Sequence, residues 1–192
     1  GLEPVGVICS HAHIDHMGNV AYLKEKYGAK LAMSLGEAGH QMSYLGLNVT
    51  SYLLPPEDLE SWDAVKGTPC LADRIILPTE DHITFCGAEF DIVHTPGHSE
   101  DHVCVITPDN VCYAGDAALG VDDRSKLPYA FNVERMLDSA GRLLELDCDA
   151  WLLAHREMRE DIAPAVAHTR ALLLRRAGEI RDLVTEPMTA GE

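Results

Sequence analysis

The stretch Ser10-His11-Ala12-His13-Ile14-Asp15-His16-Met17-Gly18 decides how this chain is interpreted. It places four side chains that can bind a metal within six residues. The β-branched run before it, residues 5–9, predicts a strand buried on both faces. His11 and His13 lie two residues apart, so both rings point to one side of an extended segment. Beyond a turn, Asp15 and His16 can address a second point, so one loop could serve two metals.

The alternative is a solvated polar loop that binds nothing. The whole chain holds ten histidines in 192 residues, so three within six positions are improbable by chance. We therefore favour a metal-binding loop.

Three further candidate ligands each follow a strand-like run. His98 comes after residues 89–95, Asp116 after 111–114, and His155 at the end of 150–154. Taken singly, Asp116 could cap a turn and His155 could be an ordinary histidine at a strand end. Ligands of α/β sheets gather at the carboxyl ends of strands, so together these residues predict one site of five histidines and two aspartates.

These motifs resemble those of the metallo-β-lactamase fold superfamily, of the glyoxalase II type. Residues 11–16 match its H-x-H-x-D-H signature, Thr95-Pro96-Gly97-His98-Ser99 its T-P-G-H-[ST] element, and Gly115-Asp116 its G-D element. The resemblance implies an α/β fold, the αββα sandwich. It also implies that three histidines bind a first metal, three residues bind a second, and Asp116 bridges both. The first set is His11, His13 and His98, and the second is Asp15, His16 and His155.

The resemblance further implies an activity, a dinuclear metal hydrolase. Two zinc ions, or iron or manganese, would hold a bridging hydroxide that attacks a small ester, thioester or lactone-like substrate. Asp15 and Asp116 are the residues expected to take part in catalysis. Two alternatives remain open: a mononuclear iron oxidoreductase resembling persulfide dioxygenases, and a non-catalytic, truncated domain.

Composition limits the partners. The chain has 31 acidic and 15 basic residues and a formal charge of −16, which argues against nucleic acid and anionic membranes. No apolar run approaches the ~20 residues of a membrane span. We therefore expect a cytoplasmic protein that acts on a small molecule.

The start of the chain predicts an incomplete fold. Residues 1–192 are expected to form a single metallo-β-lactamase-like domain, yet only ten residues precede His11, where the superfamily usually has several strands. We expect an N-terminally truncated sheet with an exposed edge, which a homodimer could cover.

The remaining elements complete the α/β pattern. Helical spacing predicts helices over residues 19–27, 34–47, 133–146 and 161–184, and residues 34–72 are expected to form a flap over the site. The simplest hairpin across residues 107–110 pairs position 104 with 113, which would turn Cys104 and Cys112 to opposite faces and prevent a disulfide. Asp101 and His102, just after His98, could support a ligand or could be ordinary loop residues.

Overall fold

Two β-sheets form the centre of the fold in this computed structural model, which describes residues 1–47, 67–119, 129–155 and 158–187. The first sheet is parallel, in the order β1-β2-β3. The second has six strands in the order β4-β5-β6-β7-β8-β9, antiparallel except for the parallel pair β7-β8. The strands are β1 (Gly6–Ile8), β2 (Lys30–Ser34), β3 (Arg74–Ile76), β4 (His82–Phe85), β5 (Ala88–His94), β6 (Val103–Ile106), β7 (Val111–Gly115), β8 (Ala150–Leu153) and β9 (Met158–Arg159).

Helices cover the outer faces of both sheets. They are α1 (Ile14–Met17), α2 (Val20–Tyr27), α3 (Leu35–Gln41), α4 (Val133–Leu143) and α5 (Ala163–Leu183). Local chemistry sets several of their ends. α2 stops at Gly28, whose φ of 66° suits glycine, and α4 starts where the Asn132 side chain accepts a hydrogen bond from the Arg135 backbone N–H. Pro164 lies in the first turn of α5, where the missing N–H costs little.

Three apolar clusters join these layers. One lies between the two sheets and includes Ala32, Ile76 and Ile92. A second packs α1, α2 and α3 against the first sheet, and a third packs α4 and α5 against the second. The layer order is therefore helix, sheet, sheet, helix, which confirms the expected αββα architecture.

The first strand differs from its prediction. β1 is only half-buried, and Val5 before it is 66% exposed. Within the described residues β1 pairs with β2 alone and forms the edge of its sheet. The expectation of a strand buried on both faces is therefore wrong, because a β-branched run does not distinguish a central strand from an edge strand.

The segment predicted as a helix over residues 34–47 is interrupted in the structure. Ser34 ends β2, α3 covers Leu35–Gln41, and residues 44–47 are helical again after a break at residues 42–43. The predicted flap over residues 34–72 lies partly outside the described residues, so it stays a prediction. The long last helix predicted over residues 161–184 is confirmed, since α5 spans Ala163–Leu183.

The β6–β7 hairpin has a register one residue away from the prediction. Ile106 pairs with Cys112, and Val105 pairs with Tyr113. Asn110 has a φ of 57°, as in a three-residue loop whose last residue is left-handed, whereas the prediction assumed a two-residue loop. The side chains of Cys104 and Cys112 therefore lie on the same face of the sheet, and the expectation of opposite faces is wrong. All six cysteines are nevertheless free.

The helices give no sign of a membrane span. Among the described residues, none is both long and apolar enough to pass through a bilayer.

Gly97 places the loop before His98 directly against α4. Its φ is 134°, a value that L side chains rarely adopt, and its carbonyl accepts a hydrogen bond from the Asn132 backbone N–H at 2.9 Å. A Cβ on Gly97 would lie 2.2 Å from the backbone nitrogen of Met136. The glycine is therefore required for the close approach that fixes the His98 loop.

Substituting Gly97→Ala is expected to lower the free energy of unfolding by about 3 kcal/mol or more, because it adds backbone strain to a steric clash. Gly178→Ala is the matched control, since a Cβ on that helical glycine meets nothing within 4 Å. The control is expected to be neutral or stabilising by up to about 1 kcal/mol. Denaturant unfolding of both variants checks this; equal stability for Gly97→Ala and the wild type would contradict it.

Candidate metal centre

The loop after β1 and the short helix α1 together deliver four of the seven candidate ligands. His11 and His13 precede α1, and Asp15 and His16 lie on it. A hydrogen bond from the His16 backbone N–H to the His13 carbonyl, at 3.0 Å, closes the turn between the two pairs. The structure therefore shows the predicted arrangement, in which one loop directs two pairs of side chains to two different points.

The first group of candidate ligands consists of three buried histidines. Nδ1 of His13 lies 2.9 Å from Nε2 of His11 and 3.0 Å from Nε2 of His98. His98 reaches this point from the loop after β5, a strand of the second sheet, whereas His11 and His13 follow β1 of the first sheet. Three imidazole nitrogens thus converge on one point, from two segments far apart in the sequence.

Asp116 joins this group to the next one. It follows β7, and its Oδ2 lies 3.2 Å from Nε2 of His98 and 3.3 Å from Nε2 of His16. Nε2 of His11 is 3.9 Å from the same oxygen. The carboxylate is therefore in reach of both groups, as a bridging ligand must be.

The second group is more open to solvent. Nε2 of His155 lies 3.1 Å from Oδ2 of Asp15 and 3.8 Å from Oδ1 of Asp116, and Nε2 of His16 is 3.7 Å from Asp15. The His155 side chain is 51% exposed, and its φ of 58° is uncommon for a residue other than glycine. The structure therefore brings all seven predicted residues together, while their binding of metal remains a prediction.

The donors fit a metal better than they fit one another. Ligands of a tetrahedral zinc ion, at 2.0–2.1 Å from the metal, lie about 3.3 Å apart, close to the spacing of these nitrogens. Nε2 of His16 is buried and makes no hydrogen bond, which costs free energy unless another partner binds it. Imidazole and carboxylate donors suit zinc, iron or manganese, so the residues fit the group that the resemblance implies.

Burial keeps part of this site in the protonation state that a metal needs. It lowers the pKa of His98 to about 3, and it holds the pKa of His11 well below its usual value. Burial alone would raise the pKa of Asp116, but the neighbouring imidazoles of His16 and His98 lower it. His11 and His98 therefore present neutral nitrogens beside an ionised carboxylate, an arrangement that attracts a cation, whereas at His16 the carboxylates of Asp116 and Asp15 outweigh burial and raise the pKa.

Three further groups orient the ligand rings. Nδ1 of His98 donates to the Tyr129 carbonyl at 2.9 Å, which leaves Nε2 free for the site. Ser10 Oγ lies 3.0 Å from Nδ1 of His11, and the Tyr113 hydroxyl lies 3.3 Å from Nδ1 of His16. Sequence analysis did not identify the two tyrosines, because nothing in their local sequence distinguishes them from packing residues.

His102 supports Asp116 rather than a histidine ligand. It is fully buried; its Nε2 accepts the Asp116 backbone N–H at 3.2 Å, and its Nδ1 lies 2.8 Å from Thr95 Oγ1. Since Nε2 accepts, Nδ1 must carry the proton and donate to Thr95. Asp101 instead binds the Gly36 backbone N–H at 2.9 Å. Of the two residues left open by the sequence, His102 thus holds a ligand's backbone, and Asp101 holds the start of α3.

The chain belongs to the metallo-beta-lactamase superfamily, whose family model matches residues 1–155. Among curated proteins, an uncharacterized protein of Aquifex aeolicus is 28% identical over 117 residues, which are 60% of this chain and 49% of that protein. A lactamase-like protein of Pestalotiopsis microspora is 24% identical over 187 residues, 94% of this chain and 48% of that protein. The chain thus spans about half the length of these relatives.

Solved structures share the fold. A metallo-beta-lactamase family protein of Thermus thermophilus, TTHA1429, aligns with a TM-score of 0.71 at 21% identity, over 96% of this chain and 65% of that one. The archaeal superfamily protein ST1585 of Sulfolobus tokodaii aligns at 0.63 and 21% identity, over 98% and 72%. TTHA1623 in a di-iron-bound form aligns at 0.60 and 25% identity, over 88% and 75%. The superfamily and fold expectations are confirmed; the glyoxalase II type stays a prediction.

The low pKa of His98 has a measurable consequence in metal-free protein. An unfolded histidine takes up a proton as the pH falls below about 6.5, but the folded His98 does not until its pKa of about 3. The stability contributed by neutral His98 is therefore present above pH ~6.5 and is lost as the pH falls. In the presence of a chelator, the stability gap between the wild type and His98→Gln is expected to shrink by about 1.4 kcal/mol per pH unit between pH 6 and 4.

His82→Gln is the matched control, because two carboxylates, Asp91 at 2.7 Å and Glu89 at 3.2 Å, raise the pKa of this exposed histidine. The difference in free energy of unfolding between the wild type and His82→Gln is expected to change in the opposite direction and to grow as the pH falls. Urea unfolding across this range measures both gaps, and a gap for His98→Gln that is constant with pH would contradict the assignment.

Proposed function

We propose that this protein is a dinuclear metal-dependent hydrolase that acts on a small ester, thioester or lactone-like substrate. The observation that carries the proposal is the convergence of three groups of possible ligands that share members: His11-His13-His98, His11-His16-Asp116, and Asp15-His16-His155. A single metal would leave part of this set unused. Overlapping groups that share His11 and His16, with Asp116 in the middle group, are what two adjacent metals require.

The bound metals would supply two things: a water molecule of lowered pKa and positive charge to stabilise the transition state. The chain's own residues make that possible. His11 and His98 offer neutral nitrogens, and the Tyr129 carbonyl and Tyr113 hydroxyl hold the rings of His98 and His16 in place. Asp15 is half-exposed at the open side of the site, where it can hold a proton destined for the leaving group.

Access to the second group supports a small substrate. A groove of about 490 Å³ reaches this group, and Asp15, His16 and His155 line it together with Leu152 and Tyr113. This volume lies in the range of small-molecule sites. The formal charge of −16 offers no basic track for a polyanion, which argues against a nuclease.

Metal analysis and a substrate panel test the proposal. The protein, loaded with zinc and freed of excess, is expected to hold about two equivalents, as a two-metal site requires. Against an aryl ester, a thioester, a lactone and a phosphodiester, it is expected to hydrolyse at least one of the first three. Asp116→Ala is expected to lower kcat/KM on that substrate by about 100-fold or more, since even residues that only support a ligand contribute 10–100-fold.

His82→Ala is the control for this experiment, because it removes a histidine that binds Asp91 and Glu89 on the surface. It is expected to keep both the metal content and the rate. One equivalent of iron, with oxygen uptake in place of hydrolysis, would overturn the proposal in favour of the oxidoreductase alternative. Equal metal content and equal rates in Asp116→Ala and the wild type would exclude this site as the active site.

A further inference from the structure

We propose that Glu37 is a positioning residue that fixes the two ligand-bearing loops of the first metal group relative to each other. This inference rests on the proposed function, since it concerns the same site. Glu37 lies on α3, outside every motif of the sequence analysis, and it is only 1% exposed. A carboxylate buried this completely needs hydrogen-bond partners, and the identity of its partners reveals its role.

Both carboxylate oxygens of Glu37 accept hydrogen bonds, and they do so from two separate loops. Oε2 accepts from the Ala12 backbone N–H at 2.8 Å. Oε1 accepts from Ser99 Oγ at 2.6 Å and from the Asp101 backbone N–H at 2.9 Å. One side chain therefore ties residue 12 to residues 99 and 101 through three short hydrogen bonds.

These attachment points lie next to the candidate ligands. Ala12 stands between His11 and His13, and Ser99 directly follows His98. The three histidines of the first group thus come from two loops whose only covalent connection is more than eighty residues long, yet His13 and His98 must meet at 3.0 Å. Glu37 sets that separation through its hydrogen bonds to residues 12, 99 and 101.

The chemistry of the contact requires a carboxylate. The two backbone N–H groups, of Ala12 and Asp101, bind different oxygens, and neither group can reverse its polarity. A glutamine of the same shape would direct its NH₂ at one of them in either orientation of the amide. Glu37→Gln therefore breaks one of the two loop attachments while it preserves the side-chain volume.

Ser34→Ala provides a matched control in the same interface. Ser34 is fully buried at the start of α3, and its Oγ donates to the Asp101 carbonyl at 2.5 Å. The substitution removes a buried hydrogen bond between the start of α3 and the His98 loop but none to the His11 loop. It therefore separates a general loss of stability from the loss of loop positioning.

The experiment measures zinc affinity by competition with a chromophoric chelator, and Tm without metal, for the wild type, Glu37→Gln and Ser34→Ala. Glu37→Gln is expected to bind zinc about 10–100-fold more weakly, as is usual when a residue that orients metal ligands is removed. Ser34→Ala is expected to lose Tm yet keep the wild-type affinity. If Glu37→Gln proves unfolded, Ser99→Ala replaces it; this variant retains both backbone attachments and is expected to weaken zinc binding by less than about 10-fold.

Wild-type zinc affinity in Glu37→Gln, with or without a lower Tm, would overturn the role of Glu37 and leave the proposed hydrolase intact. The same holds if Ser34→Ala weakens binding as much as Glu37→Gln does, because general loosening would then explain both. A wild-type protein that binds two zinc ions but hydrolyses nothing would overturn the proposed function and not this inference. A wild-type protein that binds no zinc would overturn both.

Discussion

The buried Asp116 carboxylate, with imidazole nitrogens crowded around it, is the constraint on which the rest of the structure depends. Nε2 atoms of His98 and His16 lie 3.2 and 3.3 Å from one of its oxygens. Without a cation, this cluster buries Nε2 of His16 without a hydrogen bond, which opposes folding. A bound divalent metal would reverse this effect, because these donors would then gain a partner, and folding and metal binding would be coupled.

The fold holds the candidate ligands at the ends of β-strands, which are rigid elements. His98, Asp116 and His155 each follow a strand of the second sheet, whereas His11 and His13 follow the edge strand of the first. The two sheets therefore have to dock before the site exists. Contacts that cross between the loops hold this arrangement. Among them are the Glu37 carboxylate and the buried ring of His102, which binds the Asp116 backbone.

The sequence predicted which seven residues the structure brings together, because metal ligation demands particular side chains at particular spacings. The H-x-H-x-D-H loop, and a glycine before each of His98 and Asp116, are visible without any structure. Supporting contacts were not visible, because they depend on tertiary neighbours. Glu37 accepts bonds from residues 12, 99 and 101, a relation that no local pattern encodes.

Errors in the predicted fold have the same origin. Residues 5–9 have the composition of a buried strand, but their burial depends on what lies beside β1, which the run itself does not specify. The register of the β6–β7 hairpin depended on a single residue, since the left-handed backbone of Asn110 selects a three-residue loop. By contrast, α5 was predicted closely, because its helical spacing extends over many turns.

X-ray absorption at the zinc edge of the loaded protein tests the central claim most directly. If the seven residues hold two adjacent metals, the spectrum is expected to show only nitrogen and oxygen neighbours near 2.0–2.1 Å, with a metal–metal component at about 3.5–4 Å. Sulfur neighbours at about 2.3 Å, or the absence of any metal–metal component at two equivalents of zinc, would contradict this account.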